Sequence, residues 1–196
     1  MPTALFVTEE KIKSFTGIDE NVDPAMLYPF ILQAQDFWIQ QTCGTKLYDK
    51  IKELVTDKVS NGTPIPVDYK KLLDDYIAPT VLHYGYYQAL PQIKYRATGK
   101  GVISGTSEVG QSIGLDELQY LRNSIWDSAQ FYNERLRDFL VAYQADYPDY
   151  QSYTNKDGMA PNRGTSYYTG LAIPNRKYKY CDDCEDSEGQ ANYPIY

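Results

Sequence analysis

Residues 116–147, DELQYLRNSIWDSAQFYNERLRDFLVAYQADY, decide the fold class. Leu118, Leu121, Ile125, Ala129, Tyr132, Leu136, Phe139 and Tyr143 recur every three or four positions, the period of one helix face. Neither Pro nor Gly interrupts the run, so the spacing predicts one helix of roughly nine turns. A helix that long overhangs a small body, and part of it is expected to face other subunits.

The chain upstream reads the same way. Thr8, followed by Glu9 and Glu10, caps a short helix that Gly17 ends. Asp23-Pro24 opens a turn over residues 24–27, and Pro29 is expected as the first residue of a main helix. Phe30, Ile31, Ala34, Phe37 and Trp38 form its apolar stripe, and Gly44 closes it. Thr45 is expected to cap a third helix with Leu47, Tyr48, Ile51, Leu54, Val55 and Val59 inward, stopping at Asn61-Gly62. Asp68 starts a longer helix with Leu72, Leu73, Tyr76, Ile77, Val81 and Tyr84 inside. Pro79 should kink it and Pro91 should end or bend it, because each removes a backbone donor. Residues 97–114 hold Gly99, Gly101, Gly105, Gly110 and Gly114 without helical period, which predicts a long loop or a β-hairpin. Such a loop is a candidate inter-subunit element, with Lys100, Val102, Ile103 and Glu108 as its contact residues. The expected fold is therefore all-α. It is a bundle of about five helices over residues 1–147, with a glycine-rich loop or hairpin and an extended C-terminal arm over residues 148–196.

Function classes narrow quickly. A net charge of -7 over 196 residues disfavours gripping nucleic acid through its phosphates, though DNA sliding past is compatible with it. Three cysteines, Cys43, Cys181 and Cys184, do not suit a secreted disulfide scaffold. No apolar run reaches the ~18 residues of a membrane span, and the first residues carry no signal-peptide pattern. His83 is the only histidine, in a tyrosine-rich helical stretch, and reads as a packing residue. No phosphate-binding loop, dinucleotide fingerprint or HExxH stands in the chain. Cys181 and Cys184 have half the spacing of a zinc knuckle and lack the other half. Asp74-Asp75 and Asp116-Glu117 are adjacent on helices and point apart, which suits a solvated face better than an acid–base pair. Neither a metal, a cofactor nor a catalytic residue is expected.

From Pro148 onward the helical period stops while tyrosines continue, at Tyr150, Tyr153, Tyr167, Tyr168, Tyr178, Tyr180, Tyr193 and Tyr196. Disordered linkers are poor in aromatics. Ordering such an arm costs more backbone entropy than burying its own rings returns, so it requires surface from another chain. The docking residues expected are Tyr150, Tyr153, Tyr167, Tyr168, Leu171, Ile173, Arg176, Lys177, Tyr178, Lys179 and Tyr180. A basic cluster at 176–179 precedes an acidic one, Asp182, Asp183, Glu185, Asp186 and Glu188. In a ring, the basic cluster of one chain could meet an acidic surface of its neighbour. The acidic segment is expected to stay loose, with Tyr193–Tyr196 as a terminal anchor.

Three stretches, taken in order and spacing, resemble a known family: residues 20–51, ENVDPAMLYPFILQAQDFWIQQTCGTKLYDKI; residues 69–102, YKKLLDDYIAPTVLHYGYYQALPQIKYRATGKGV; and residues 121–140, LRNSIWDSAQFYNERLRDFL. They resemble the head-to-tail connector (adaptor, or head-completion) proteins of tailed phages, in the form carried by crAss-like phages. Asp23, Pro29, Ala34-Gln35, Gly44 with Leu47-Tyr48, Pro79 and Ala89-Leu90-Pro91 carry the likeness. The resemblance implies a helical virion subunit, assembled in the host cytoplasm, in a twelve-copy ring at the neck. Its implied partners are the portal protein, other copies of itself, downstream neck or tail proteins, and genomic double-stranded DNA passing non-specifically. No membrane and no catalysis are implied. A small all-helical enzyme or ligand-binding module is the alternative, resting on His83 and the cysteine pair.

Overall fold

The computed structural model describes residues 4–99, 101–104, 114–151 and 158–164, with backbone alone at 96–98, 101–104 and 151. The chain divides into two units, Met1–Arg163 and Gly164–Tyr196. The first unit is all-α and holds five helices among its described residues. Helix α1 is Glu9–Phe15; Thr8 caps it by accepting the Lys11 N–H. Helix α2 runs without a break through Pro24–Ala34, Gln35–Ile39 and Gln40–Cys43. Helix α3 is Thr45–Asn61, and Gly62 ends it in the left-handed region at φ 68°. Helix α4 continues through Val67–Lys71, Leu72–Ile77 and Ala78–Lys94. Strands β1 (Tyr95–Thr98) and β2 (Gly101–Ser104) then form an antiparallel hairpin, with Tyr95 opposite Ser104 and Thr98 opposite Gly101. Helix α5 is Leu115–Ala142, and a short 3₁₀ turn, Pro148–Gln151, follows it.

The prolines fall differently from expectation. Helix α2 starts at Pro24, not at Pro29, because the Asp23 carboxylate accepts the Ala25 N–H at 2.9 Å and Pro24 suits the first helical position. Pro29 then forfeits a single bond to the Ala25 carbonyl, and both residues are exposed, so water can satisfy that carbonyl. Pro79 follows a wide, π-type turn at Leu72–Ile77, in which the Ala78 N–H reaches back to the Leu73 carbonyl. That turn takes the ladder past the proline without a break in the helix. Pro91 sits in the last turn of α4, which continues to Lys94. A second wide turn at Gln35–Ile39 shifts the inward face of α2. Phe37 consequently lies outside the core, 56 % exposed, while Ile39, Thr42 and Cys43 are buried.

Helix α4 is the hub, with α2 and α5 packed along it. Buried Leu27, Ile31, Leu47, Ile51, Leu72, Ile77, Val81, Leu136 and Leu140 fill the space between helices. Each is worth roughly 1.5–3 kcal/mol of transfer free energy. Gly85 lets α4 approach closely: a Cβ there would meet Ile12 Cδ1 at 3.2 Å and the Ile31 backbone at 3.7 Å. Buried Gln35 pins the N-terminal segment, accepting the Phe6 N–H at 2.8 Å and donating to the Ala4 carbonyl at 3.2 Å. Val59, expected inside, is 81 % exposed, because α3 outruns the core before its last turn.

Helix α5 ends at Ala142, earlier than the expected Tyr147, with the Tyr143 N–H closing on the Phe139 carbonyl. The chain must turn there to bring Tyr147 and Tyr150 into the core. The Tyr147 hydroxyl donates to the Asp68 carbonyl at 3.0 Å, and its ring meets Tyr69 edge-on at 5.6 Å.

Candidate functional site

The expected docking residue Tyr150 is not available to another chain: it is fully buried in the first unit. Arg163 lies 4.7 Å over its ring and donates to its carbonyl at 2.6 Å. Burial pushes its hydroxyl pKa up to about 12. Residues 158–163 also belong to this unit, as a strap across the α2–α3 junction. Thr45 is its fastening point, not a cap for α3. Its hydroxyl accepts the Met159 N–H at 2.8 Å, and its own N–H donates to the Met159 carbonyl at 3.0 Å. The Asn162 N–H donates to the Gln41 carbonyl at 3.0 Å. Beneath the strap Gly44 adopts φ 78°, where a Cβ would stand 2.8 Å from Pro161 Cδ. The helical body therefore extends to Arg163, and any free arm begins after it.

Val102 and Ile103 lie in β2, opposite Ala97 and Arg96. Tyr153, Tyr167, Tyr168, Leu171, Ile173, Arg176, Lys177, Tyr178, Lys179, Tyr180, Lys100, Glu108, Cys181 and Cys184 lie outside the described residues.

The inward side of α5 is an aromatic seam. Trp38 of α2 stacks on Tyr84 of α4 at 4.1 Å with planes 5° apart, and Trp126 of α5 meets both edge-on at 6.3 and 5.7 Å. Further along, Tyr76 stacks on Phe139 at 3.9 Å, and His83 stacks on Tyr132 at 4.6 Å. His83 Nδ1 lies 2.8 Å from the Pro79 carbonyl, so it carries the proton and donates. Ring stacking and that bond hold His83 as a packing residue. Burial raises the pKa of the Tyr84 hydroxyl, and raises the Cys43 thiol to about 12, far from the range of a reactive thiolate. Thr42 donates to Asn133 Oδ1 at 2.7 Å across the α2–α5 contact, a buried polar pair that apolar periodicity could not reveal.

The three cations of α5 all contact the body, although Arg135 stays exposed. Arg122 lies 4.4 Å from the Tyr87 ring centroid and Arg135 lies 4.9 Å from that of Tyr76. Arg137 is buried. The five carboxylates of α5, Asp116, Glu117, Asp127, Glu134 and Asp138, are all exposed. Glu117 accepts the Gly114 N–H at 3.0 Å and closes the helix start. No ion pair among the described residues holds Asp127, Glu134 or Asp138. With Tyr120, Phe131 and Val141 these three share one outward stripe, at alternating spacings of three, four or seven along α5. Tyr120 is 79 % and Phe131 62 % exposed. The stripe is acidic and aromatic, with exposed Arg135 beside it, which suits recognition of a basic, apolar partner more than chemistry.

Among the described residues no helix is long and apolar enough to cross a membrane. No curated protein and no solved structure matches the chain. Residues 39–158, from the wide turn of α2 to the first residue of the strap, match a family described as a family of unknown function, DUF6712. The match takes in well over half of the 196 residues, so the chain belongs to the DUF6712 family.

Proposed function

We propose that this protein is a structural virion subunit: an adaptor that assembles as a ring between the portal and the tail or neck, extends the DNA channel and completes the head. The observation that carries the reading is the outward stripe of α5. It keeps Tyr120, Phe131 and three carboxylates in solvent, while Arg137 is buried and Arg122 and Arg135 lie over the rings of Tyr87 and Tyr76. The resemblance of residues 20–51, 69–102 and 121–140 to phage connector proteins supports the same reading. So does the tyrosine-rich, basic segment over residues 165–180. In this reading residues 165–180 contact portal or a neighbouring copy. Acidic net charge lets double-stranded DNA pass with little adhesion. Downstream neck proteins dock on the far side of the ring.

Cross-linking with mass spectrometry on purified particles tests the proposal. Links from Lys177 or Lys179 to the portal or to a second copy are the expected result. Absence of the protein from filled heads, or links confined to unrelated cellular proteins, sinks it.

A further inference from the structure

We infer that the outward stripe of α5 is the docking site for residues 171–180, LAIPNRKYKY, of a second copy of this chain. The inference deepens the ring reading above and rests on it for the choice of a second copy over the same chain. The charge signs fit. The stripe presents Asp127, Glu134 and Asp138 without an ion pair among the described residues, and the segment carries Arg176, Lys177 and Lys179. Its apolar content fits too. In an extended strand alternate residues share a face, which puts Leu171, Ile173, Lys177 and Lys179 together. Lengths agree: Tyr120 to Asp138 spans ~27 Å of helix, and Leu171 to Lys179 spans ~26 Å when extended. Lys177 and Lys179 on Glu134 and Asp138 therefore bring Leu171 and Ile173 to the neighbourhood of Tyr120. The arm starts after Arg163, whose guanidinium is fixed to the Tyr150 carbonyl, so 32 residues from Thr165 to Tyr196 remain to reach a neighbour.

A charge swap in the full-length chain tests this. One variant carries Glu134→Lys and Asp138→Lys; the other carries Lys177→Glu and Lys179→Glu. Sedimentation velocity over a range of protein and salt concentrations reads association. The wild-type chain is expected to self-associate, more weakly as salt rises. Each variant alone is expected to associate ~10- to 100-fold more weakly. Their equimolar mixture recovers association, because each arm again meets a face of opposite sign. Glu134→Gln with Asp138→Asn gives a second, sterically neutral test and should weaken association in the same direction. A wild-type chain that stays monomeric throughout overturns the docking, as does either variant behaving like wild type or a mixture that fails to recover. Co-purification with portal is scored separately. Recovery of self-association without portal binding removes the adaptor reading and leaves the docking. Portal binding without any charge dependence of self-association does the reverse.

Discussion

Trp126 and Phe131 stand on the same helix, one packed against Trp38, Tyr84 and Tyr87, the other 62 % exposed beside carboxylates. The inward side of α5 closes a body: rings stack, arginines lie on tyrosine faces, and Asn133 meets Thr42. The outward side has aromatic residues as well, at Tyr120 and Phe131, yet nothing described covers them. Ring content alone therefore does not distinguish a packing face from a docking face. The charges do differ: three carboxylates stand on the outer stripe, while Arg137 is buried and Arg122 and Arg135 lie over the half-buried rings of Tyr87 and Tyr76.

The largest expected difference between the two sides is in alkali. Burial raises the pKa values of Cys43, Tyr48, Tyr84, Tyr147 and Tyr150 above their ordinary values, with Cys43, Tyr147 and Tyr150 at about 12. Each therefore keeps its proton more tightly folded than unfolded. The stability this contributes is complete below the ordinary values, 9 for the thiol and 10 for tyrosine, and is lost as pH rises toward 12. The share of tyrosinate absorbance that belongs to the buried rings should appear only as helical circular dichroism is lost in that window. Tyrosinate absorbance already complete before the helices melt would show that the inward rings are less enclosed than described.

Next in size is Tyr84→Ala. Tyr84 is fully buried and stacked on Trp38, so truncation leaves a cavity at the meeting of α2, α4 and α5. A loss of about 3–5 kcal/mol in urea unfolding is expected. A loss under ~1 kcal/mol would mean the seam repacks freely, and would erase the contrast with the outer face.

Gly44→Ala ranks third and probes the strap. It combines a left-handed backbone at φ 78° with a Cβ 2.8 Å from Pro161 Cδ. About 2–3 kcal/mol is the expected cost. Limited proteolysis should then cut within 158–163 faster than in the wild type, because Met159 and Asn162 lose their seat on Thr45 and Gln41.

The sequence announces the helices and conceals these joints, for one physical reason. Three-four periodicity is local, so it places α3, α4 and α5 to within a few residues. It also shows Leu118, Ile125, Ala129 and Leu136 of α5 as inward, as they are. The seat of Tyr150 depends on Arg163, and that of Tyr147 on Asp68, 79 positions away. No local pattern distinguishes those tyrosines from the ones farther along. The wide turn at Gln35–Ile39 moves Phe37 outward by adding a residue to one turn, which a fixed period cannot register. The outward stripe was readable in part, since Tyr120, Asp127, Phe131, Glu134 and Asp138 keep one face. Its polar members look like any solvated surface until Arg122 is seen over Tyr87 and Arg137 is seen buried, which leaves Arg135 as the exposed cation of α5.

The smallest expected effect on stability is also the one that sharpens the contrast most. Tyr120→Ser and Phe131→Ser remove rings that are already 79 % and 62 % exposed, so each should change unfolding free energy by no more than ~0.5 kcal/mol. The paired substitution in the seam, Trp126→Ser, removes a ring that touches Trp38, Tyr84 and Tyr87 and should cost several-fold more. Measured in the same titration, the two sets separate what holds the body from what the body offers. Phe131→Ser costing as much as Trp126→Ser would show that the outer ring is packed in the isolated chain. An occupant would then already cover the stripe in cis, and the face would not be free for a neighbour. Near-neutral unfolding combined with weakened self-association is the opposite result. It leaves Tyr120 and Phe131 contributing to contacts with another chain and not to the fold of their own.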